Sequence, residues 1–418
     1  MLAGGRSHSR RGFATLRLVR IVLLNQYYAP SEAPTAILAA DLAQALAARG
    51  HEVHAIASSR DYTDPAHTYP RRERRDGVFV RRAWTSGFGR KGKLGRVLDY
   101  LTFMVAAAWS LWRVPRPDLV IAMTTPPMLV RLALPLCRIR GARLLYWAMD
   151  LYPDLAIELG VLRADGWIAG ILRRAARRTL SRADHVVALG AAMAQRLASQ
   201  GASRIDIVDN WCDGGAIRPR PSEGHPLRLR NGWDGKFVVL YSGNMGLAHD
   251  FDSVLDAAAR LAEFPDIVFA FVGGGVREAE IRRGAHERGL TRVEFHPGVD
   301  LAVLSDGLTA GDLHLVTLRA GVEGLLVPSK IYGILAAGRP AIYVGPAGSE
   351  IASILADGRC GISVSNGDVD ALVQAIRGYV DDREQRLAQG VLARRVFEER
   401  YDRPHALRKL IAVIEALR

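Results

Sequence analysis

Cysteine is scarce in this 418-residue chain, which contains three, at Cys137, Cys212 and Cys360. They are scattered and show no spacing typical of a disulfide framework or a structural zinc site. The sequence therefore predicts reduced thiols, a cytoplasmic setting and no bound metal. A dinucleotide fingerprint is missing as well, because no G-x-G-x-x-G follows the first predicted strand at 20–24. This excludes the usual form of a nicotinamide-dependent fold.

Long apolar runs are also missing. The run Ile21–Leu24 is too short for the core of a secretory signal, and residues 1–18 are interpreted as a mobile basic arm. No segment is expected to reach the roughly 18–20 apolar residues that a membrane span needs. The segment 100–112, YLTFMVAAAWSLW, suits the interface of a membrane. Burial as a core helix is the alternative.

Lysine is rare, and positive charge is unevenly distributed. Residues 1–215 contain 31 Lys and Arg against 17 Asp and Glu, a net charge of +14, whereas the remaining residues have a net charge of −1. The basic half is therefore expected to have an anionic partner. Arginine clusters within 71–96 precede the apolar segment 100–112, which favours an anionic membrane surface. Nucleic acid is the alternative, but no interleaving of basic and aromatic residues supports it.

The length of the chain predicts two domains. In each half, short apolar runs alternate with amphipathic segments, a pattern typical of parallel sheets with crossover helices. The expected fold class is α/β. The predicted parts are a basic arm at 1–18, an N-terminal domain at 19–215, a Pro- and Gly-rich linker at 216–235, a second domain at 236–395, and C-terminal helices at 396–418 that could cross back to the first domain.

Polar residues follow several predicted strands of the N-terminal half. Ligands of parallel sheets bind beyond the carboxyl ends of the strands. Asp150 directly follows the predicted strand 143–148, where a carboxylate can bind a sugar hydroxyl or act as a base, although capping the next segment is the commoner role. The other side chains expected at this edge are Tyr28, Ser31, Glu32, Thr124 and Thr125.

The stretch 323–340, EGLLVPSKIYGILAAGRP, predicts a short helix that starts after Pro328 with Ser329 as its N-cap. Lys330 follows in the first turn. Free N–H groups at a helix start and a compact ammonium both suit a phosphate. A capped surface helix with a solvated lysine agrees equally well with the spacing.

Taken in order, several segments resemble the family 4 glycosyltransferases. They are RIVLLNQYYAPSEAPT, ARGHEV, WAMDLYPD, ADHVVALGAAM, IVDNWCD, VLYSGNMGLAHDFDSVLDAAARL, FVGGG and VPSKIYGILAAGRPAIYVG. The resemblance runs from about residue 19 to the C-terminus and looks most like the bacterial branch of fucosamine and amino-sugar transferases of O-antigen, capsule and exopolysaccharide assembly. It implies the GT-B fold, in which two facing Rossmann-like domains with parallel sheets enclose a cleft, and transfer with retention of anomeric configuration.

The resemblance implies that the second domain binds the sugar donor. The donor-binding residues it implies are Gly243, Asn244, Met245, Gly246, Pro328, Ser329, Lys330, Glu323 and Glu350. The glutamate that holds the donor ribose in many members falls at Gly333, so Glu323 or Glu350 would have to replace it. The Arg and Lys that many members place on the diphosphate fall near Asn244 and His249. This departure makes Lys330 the predicted diphosphate clamp.

The resemblance implies a retaining glycosyltransferase of hexosyl or N-acetylhexosaminyl type. It would move a sugar from a nucleoside-diphosphate sugar, its co-substrate, to a lipid-linked saccharide at the inner face of the plasma membrane. Asp150, chosen for its position after the strand, is the predicted catalytic residue. The residues predicted on the acceptor side are Tyr28, Ser31, Glu32, Thr124 and Thr125. No cofactor, metal or nucleic-acid partner is expected. Two alternatives remain. One is a sugar-nucleotide epimerase of the same fold. The other is a non-catalytic nucleotide-sugar-binding paralogue, which would suit the absence of the ribose-binding Glu, of the Arg on the diphosphate, and of the catalytic-loop His that some relatives carry where Asp150 follows Met149 here.

Overall fold

The computed structural model describes residues 18–88 and 92–417. The basic arm predicted at 1–18 therefore lies, apart from its last residue, outside the described residues. Each half of the chain forms one twisted, mainly parallel sheet covered by helices. The predicted α/β class is confirmed.

The N-terminal half contains an eight-stranded sheet within the described residues. Its strands are β1 (Arg20–Leu24), β2 (Glu52–Ser58), β3 (Arg72–Arg75), β4 (Val78–Ala83), β5 (Leu119–Ala122), β6 (Arg143–Trp147), β7 (His185–Ala188) and β8 (Ile205–Ile207). Its helices are α1 (Pro34–Ala48), α2 (Lys93–Trp112), α3 (Val130–Arg140), α4 (Asp154–Glu158), α5 (Trp167–Leu180) and α6 (Ala191–Ser199). The strand order is β3-β4-β2-β1-β5-β6-β7-β8, and every neighbouring pair except β3–β4 is parallel.

The C-terminal half contains a six-stranded parallel sheet of order β11-β10-β9-β12-β13-β14. Its strands are β9 (Phe237–Ser242), β10 (Ile267–Val272), β11 (Val293–His296), β12 (Leu313–Thr317), β13 (Ala341–Val344) and β14 (Gly361–Val364). Its helices are α7 (Pro226–Asn231), α8 (Asp252–Arg260), α9 (Glu278–Glu287), α10 (Leu304–Thr309), α11 (Lys330–Ala336), α12 (Glu350–Gly358), α13 (Val369–Asp381), α14 (Arg383–Val396) and α15 (Arg403–Ala416). A 3₁₀ turn at Leu301–Val303 precedes α10, and a π-helical turn at Phe397–Tyr401 joins α14 to α15.

The arginine-rich run that begins at residue 71 is an edge hairpin, which the sequence analysis did not predict. β3 pairs antiparallel with β4, and the carboxylate of Glu73 binds the buried Arg82 guanidinium at 2.7 Å. Arg74 stacks on the ring of Phe79 at 5.0 Å. Charged side chains are common on edge strands because they discourage pairing with other chains. Part of the local positive charge therefore stabilises the hairpin.

Helix α2 is longer than the apolar run at 100–112, because it begins at Lys93. The expectation that no segment is long enough to span a membrane was wrong: Leu94–Trp112 has the length and composition of a span. One side of the helix nevertheless packs on the domain, where Phe103, Ala107 and Leu111 are buried. It contacts β2, β4 and α3. The helix therefore lies along one face of the N-terminal sheet.

The predicted linker at 216–235 contains α7, which packs on the second domain. Arg228 of this helix is buried and pairs with Asp312 at 2.7 Å. At the other end of the domain, α15 returns to the N-terminal half and contacts α1. Arg49 binds Glu415 there at 2.9 Å. The chain thus crosses between the domains twice.

The two halves share buried apolar surface. The larger cluster of buried side chains runs without a break from Ile21 in β1 to Tyr332 in α11 and Ile414 in α15. A second cluster, which includes Phe271, lies between the C-terminal sheet and its outer helices. One continuous apolar core therefore connects the N-terminal sheet with α11 and α15.

Candidate active site

The carboxyl ends of the two sheets face each other, and loops from both domains meet between them. Leu151, just beyond β6, donates its N–H to the carbonyl of Leu325 at 2.8 Å. Met193 in α6 donates its N–H to the Glu350 carboxylate at 3.1 Å. Segments that follow β6 and β7 of the first sheet therefore contact segments that follow β12 and β13 of the second.

The turn after β9, residues 243–246, rests on a second glycine turn after β10. Met245 donates to the carbonyl of Gly274 at 2.8 Å, and its side chain is fully buried. A Cβ atom on Gly273 would lie 2.3 Å from the Gly243 carbonyl oxygen, and one on Gly275 would lie 2.4 Å from that of Met245. The close contact requires glycine at both positions. The backbone of the first turn is thereby fixed at the cleft.

In this turn Asn244 is exposed and Gly246 is partly exposed, whereas Met245 is buried. Asn244 is exposed, and its carbonyl accepts a hydrogen bond from the Tyr241 hydroxyl at 2.8 Å. Among the described residues, the N–H groups of Asn244 and Gly246 donate no hydrogen bond to the protein. Such N–H groups on a fixed turn can bind an anion.

The side chain of Lys330 extends from the start of α11 to this turn. Its Nζ lies 3.5 Å from the centroid of the Tyr241 ring and would lie 3.8 Å from a Cβ atom on Gly243. Although part of the residue is exposed, Nζ itself is inaccessible and has no hydrogen-bond partner within residues 18–88 and 92–417. Burial lowers the pKa of Lys330 well below its ordinary value. The cation–π contact with Tyr241 is weak compensation for a buried ammonium, so an incoming anion would be strongly attracted.

The other parts of the stretch 323–340 have structural positions. Ser329 occupies the N-cap position, but its side chain makes no capping hydrogen bond, and Pro328 is buried. A Cβ atom on Gly333 would lie 3.1 Å from Leu308, so this position faces packed apolar atoms. Because α11 has seven residues, its dipole is short. At the start of α11, the Lys330 side chain is therefore a stronger candidate for binding an anion than the helix dipole.

His249, at the other position where relatives carry a cation, is neutral. Burial and the neighbouring Lys330 lower its pKa to about 3. Its Nδ1 lies 2.6 Å from the carbonyl oxygen of Thr317. Its main role is therefore to hold the turn after β9 against β12.

Glu323 and Glu350, the two candidates for the ribose contact, both lie against α6. Glu350 accepts the hydrogen bond from Met193, and a Cβ atom on Gly190 would lie 2.0 Å from its Cγ. Glu323 accepts a hydrogen bond from the N–H of Gly321 at 2.8 Å and lies 3.9 Å from the Arg196 guanidinium. In this conformation both carboxylates contact protein groups at the interdomain boundary.

Asp150 follows β6 at the cleft. Burial raises the pKa of its carboxyl to about 6. Its N–H donates to the hydroxyl of Thr124 at 3.4 Å. A carboxyl whose pKa lies near neutrality can accept a proton from a substrate hydroxyl and release it again.

The remaining predicted residues of this edge occupy different environments. Thr124 is buried beside Asp150, and the Thr125 carbonyl accepts the N–H of Gln26 at 2.8 Å. Tyr28 and Ser31 are buried, and neither side-chain oxygen has a hydrogen-bond partner. Glu32 is exposed. Within this set, Thr124 is the residue whose side chain accepts a hydrogen bond from the backbone N–H of Asp150.

A cavity of about 510 Å³ opens between the domains, and its lining includes Asn244 of the predicted site residues. Its N-terminal wall is lined by Gln26, Tyr27, Ser58, Arg60, Asp61, Tyr62, Pro65, Thr85, Gly87, Arg96, Asp99 and Tyr100, and its C-terminal wall by Asn244, Gly275 and Val276. Of these residues, Asn244 was predicted from the sequence, whereas the N-terminal side chains were not. Arg60 follows β2 at its carboxyl end, so the strand-end rule could have identified it. Arg96 and Tyr100 lie near the start of α2, for which that rule gives no signal.

A larger cavity, of about 790 Å³, lies beside the linker at the amino ends of β9 and β12. Its buried arginines bind protein groups: Arg228 binds Asp312, and Arg339 donates to the carbonyls of Arg220 and Thr309. This end of a parallel sheet is opposite to the ligand-binding end. We therefore assign the chemistry to the smaller, interdomain cavity. In residues 18–88 and 92–417, no three His, Cys, Asp or Glu side chains form a group that could hold a metal ion.

Two Rossmann-like domains that face each other across a ligand-sized cleft define the GT-B class. Residues 36–211 match the family model described as a glycosyl transferase 4-like domain, and residues 236–382 match glycosyl transferases group 1. The chain is therefore a glycosyltransferase of the GT-B fold and belongs to family 4. The fold that the resemblance implied is confirmed.

Similar proteins agree with this assignment. The chain is 29% identical over 308 residues to the glycosyltransferase WbjE of Pseudomonas aeruginosa, covering 73% of this chain and 76% of that protein. It is 27% identical to WcaI of Escherichia coli strain K12, whose name assigns it to colanic acid biosynthesis, covering 94% and 99% of the two chains. HepE from Anabaena, solved in complex with UDP-glucose, superimposes with a TM-score of 0.70 at 17% identity, covering 95% of this chain and 100% of that one.

Proposed function

We propose that this protein is a retaining glycosyltransferase of cell-surface polysaccharide assembly. It moves a hexosyl or N-acetylhexosaminyl group, with a fucosamine-type sugar as one candidate, from a nucleoside-diphosphate sugar to a lipid-linked saccharide. The observation that carries the proposal is the buried Lys330 side chain, which has no anionic partner among the described residues and lies beside the turn at Gly243. The names of WcaI and of the HepE complex with UDP-glucose support the product class and the donor class.

The proposed chemistry follows from the charges in the cleft. As the sugar–phosphate bond lengthens, negative charge grows on the leaving diphosphate. The Lys330 ammonium and the N–H groups of Asn244 and Gly246 stabilise that charge, because they are already oriented in a site of low polarity. Asp150, on the N-terminal side of the cleft, accepts a hydrogen bond or the proton from the acceptor hydroxyl as that oxygen bonds to the anomeric carbon on the face that the diphosphate leaves. The acceptor occupies the interdomain cavity, and the enclosing walls limit hydrolysis by water.

The outer face of α2 supports association with the inner face of the plasma membrane. Val105 and Trp109 are 73% and 61% exposed on this face. The Arg113 guanidinium lies 4.3 Å from the centroid of the Trp109 ring. Burial lowers the pKa of Arg81, and the neighbouring Arg72 and Arg113 lower it further, so three cations gather near the end of α2. Exposed tryptophan and arginine on one surface suit a bilayer with anionic headgroups.

A panel of UDP-, GDP- and dTDP-sugars in a thermal-shift screen tests the donor part of the proposal. At least one nucleotide sugar is expected to raise the melting temperature and then to be consumed when a lipid-linked acceptor is added. Protein that neither binds nor turns over any of them would refute the proposal. Conversion of the nucleotide sugar without acceptor would instead establish an epimerase, and binding without turnover a non-catalytic protein.

Sedimentation with vesicles tests the membrane part. Val105 on α2 and Val391 on α14 are 73% and 71% exposed, which makes them a matched pair. Val105→Asp is expected to reduce binding to phosphatidylglycerol-containing vesicles about tenfold, because it puts a charge on the docking face. Val391→Asp is the control and is expected to bind as the unmodified protein does. Equal binding by both variants would exclude α2 as the docking helix.

A further inference from the structure

The interdomain cavity contains two cations that the proposed chemistry does not use. Arg60 and Arg96 both line it, together with hydroxyl, amide and aromatic side chains. The rings of Tyr27 and Tyr62 meet edge to face at 5.1 Å within the same wall. Aromatic faces and hydroxyl groups suit a saccharide, whereas guanidinium groups suit a phosphate. The cavity therefore has the chemistry to bind a phosphorylated saccharide.

The two carboxylates in the wall of the cavity are engaged by the protein. Asp61 accepts hydrogen bonds from the Tyr69 hydroxyl at 2.5 Å and from the N–H of Thr63 at 2.7 Å. Burial opposes ionisation of Asp61, but these bonds outweigh it and hold its pKa at about 2. Asp99 accepts hydrogen bonds from the Ser86 hydroxyl at 2.6 Å and from the N–H of Phe88 at 3.0 Å. These carboxylates shape the loops of the wall.

The Arg60 guanidinium is positioned by the loop around it. It donates to the carbonyls of Pro65 and Ala66 at 3.2 and 3.4 Å. A Cβ atom on Gly87 would lie 2.8 Å from Arg60 Nε, so the glycine leaves room for the guanidinium. Gly87 has a φ of 75°, which also favours glycine. Arg60 is therefore held in place on the wall of the cavity.

Arg96 has no such partner. Its guanidinium is exposed and forms no hydrogen bond or ion pair with the described residues. It lies within electrostatic reach of Tyr152, whose pKa is raised by burial and by Asp150 and lowered in part by Arg96. A cation without a partner is thus present in the same cleft as the predicted catalytic carboxyl.

Helix α2 connects this cavity with the outer face of the helix, which carries Val105 and Trp109 and is proposed to bind the membrane. Arg96, Asp99 and Tyr100 line the cavity from its first turns, while Leu101 and Val105 are exposed apolar residues of the same helix. A ligand seated in the cavity can therefore have a polar end inside and a hydrocarbon chain outside, along α2. A lipid-linked saccharide has this form, and its phosphate would lie between the two ends.

We propose that Arg96, supported by Arg60, binds the phosphate that joins the acceptor saccharide to its lipid, and so makes the enzyme select phosphate-linked acceptors. The inference rests on the proposed function and goes beyond it by naming the linkage and the residues that recognise it. Charge-assisted hydrogen bonds from a guanidinium to phosphate are strong enough to discriminate against a neutral linkage.

The test measures the binding of farnesyl diphosphate to the full-length protein by microscale thermophoresis. The nucleotide that gives the largest thermal shift is present at saturation, so that the Lys330 site is filled. Arg96→Gln is expected to weaken farnesyl diphosphate binding about tenfold or more, and Arg96→Lys is expected to recover part of the loss. Arg204→Gln is the matched control, because Arg204 is exposed and lies at the opposite edge of the sheet, before β8. Two comparison ligands are measured in the same way: farnesol, which lacks the diphosphate, and inorganic pyrophosphate, which lacks the prenyl chain.

The result expected is that Arg96→Gln removes the preference for farnesyl diphosphate over farnesol, whereas Arg204→Gln keeps it. Unchanged farnesyl diphosphate binding in Arg96→Gln would overturn the proposal. Loss of binding to anionic vesicles in Arg96→Gln, with farnesyl diphosphate binding intact, would also overturn it and would assign Arg96 to bulk headgroups. The proposed function is tested separately, by the panel of nucleotide sugars. The two tests are independent because the binding of farnesyl diphosphate is measured directly and does not require turnover.

Discussion

Lys330 and Asp150 share one property at the residue scale: each is an ionisable group held in the cleft without a partner of opposite sign among the described residues. Isolated charges are unfavourable in such places, so their presence indicates a ligand or a reaction that uses them. In the proposed function, Lys330 belongs to the donor side and Asp150 to the acceptor side. Their pKa shifts lead to different experiments.

Donor binding is expected to take up a proton at Lys330. Burial lowers the pKa of this ammonium, and an incoming diphosphate raises it again, so affinity should fall as pH rises. Titration calorimetry at pH 8 in two buffers of different ionisation enthalpy measures the uptake. Lys330→Met should abolish it and weaken nucleoside-diphosphate binding by about 2–3 kcal/mol. Lys236→Met is the control, because Lys236 pairs with Asp266 outside the cleft. Equal affinity without proton uptake would make Lys330 a packing residue.

Asp150→Asn is expected to remove activity and increase stability. The folded-state pKa of about 6 exceeds the ordinary value of 3.8, so the contribution of Asp150 to the free energy of unfolding is present below pH 4 and lost as pH rises through 6. At pH 7.5 the variant should therefore gain about 1–3 kcal/mol. In the unmodified enzyme, kcat/KM should fall as pH decreases through about 6. Asp154→Asn is the contrast, because it removes an ion pair with Arg173 at 3.0 Å and should not stabilise. A loss of stability in Asp150→Asn would contradict this interpretation.

The sequence identified both of these residues, and for a physical reason. Asp150 directly follows a buried strand, and Lys330 is one of five lysines in a chain rich in arginine. The groups that surround these two residues in the folded protein could not be predicted from the sequence. The contact of Lys330 with Tyr241, about ninety positions away, depends on how two loops meet. Pairing of this kind is a tertiary property, and local patterns do not encode it.

At the scale of elements, the donor turn depends on two glycines that are distant from it in sequence. Gly273 and Gly275 follow β10, yet they determine the path of the turn at 243–246 after β9. Parallel strands bring these loops together because neighbouring strands end at the same edge. The donor site is thus a property of a strand pair.

Gly273→Ala is expected to disrupt that turn. The added Cβ would lie 2.3 Å from the Gly243 carbonyl oxygen, at a φ of 129°, so destabilisation of about 1–3 kcal/mol is expected. Nucleotide binding should be lost as well. Gly274→Ala is the neighbouring control, because its Cβ would meet the flexible Glu278 side chain at 3.3 Å. Urea denaturation and the thermal-shift screen measure the two effects. Equal behaviour of both variants would show that the contact does not fix the turn.

Strands were easier to predict than the elements rich in charge. β1 has the bounds predicted from its apolar run at 20–24, and β6 ends one residue before the end of the predicted strand 143–148. β3 was missed because RRERR reads as a basic cluster, although its alternation suits an exposed edge strand. α2 was shortened because Lys93 and Arg96 interrupt the apolar pattern at its start. Charged residues interrupt the apolar pattern from which strands and helices are predicted. For this reason β3 was not predicted and α2 was predicted to be too short.

At the scale of the whole molecule, the contact between Glu350 and α6 joins the donor domain to the acceptor domain. Its carboxylate accepts a hydrogen bond from the first turn of α6, where the helix dipole favours negative charge. Gly190 leaves the space for it. This contact closes the cleft on the side of the donor loop, and it had no signal in the sequence.

Gly190→Ala is expected to separate the domains at this point. Gly190 has an extended φ of 174°, so alanine introduces no backbone strain and acts through a Cβ atom 2.0 Å from Glu350 Cγ. Overpacking of this kind costs about 1–3 kcal/mol. Small-angle scattering should show a larger radius of gyration, and kcat/KM should fall. Gly348→Ala, where a Cβ meets no atom within 4 Å, is the control. Unchanged scattering would mean that Glu350 moves aside without opening the cleft.

The return of α15 to the N-terminal half has a consequence for exchanging donor specificity between relatives. The two chain crossings lie side by side, since Arg403 donates its N–H to the Cys212 carbonyl and its side chain binds Asp213 at 3.1 Å. A chimera with a single junction after residue 215 would put a foreign helix on α1. A graft of the donor domain with two junctions, near 215 and 401, would keep the native α15 and its contact with α1.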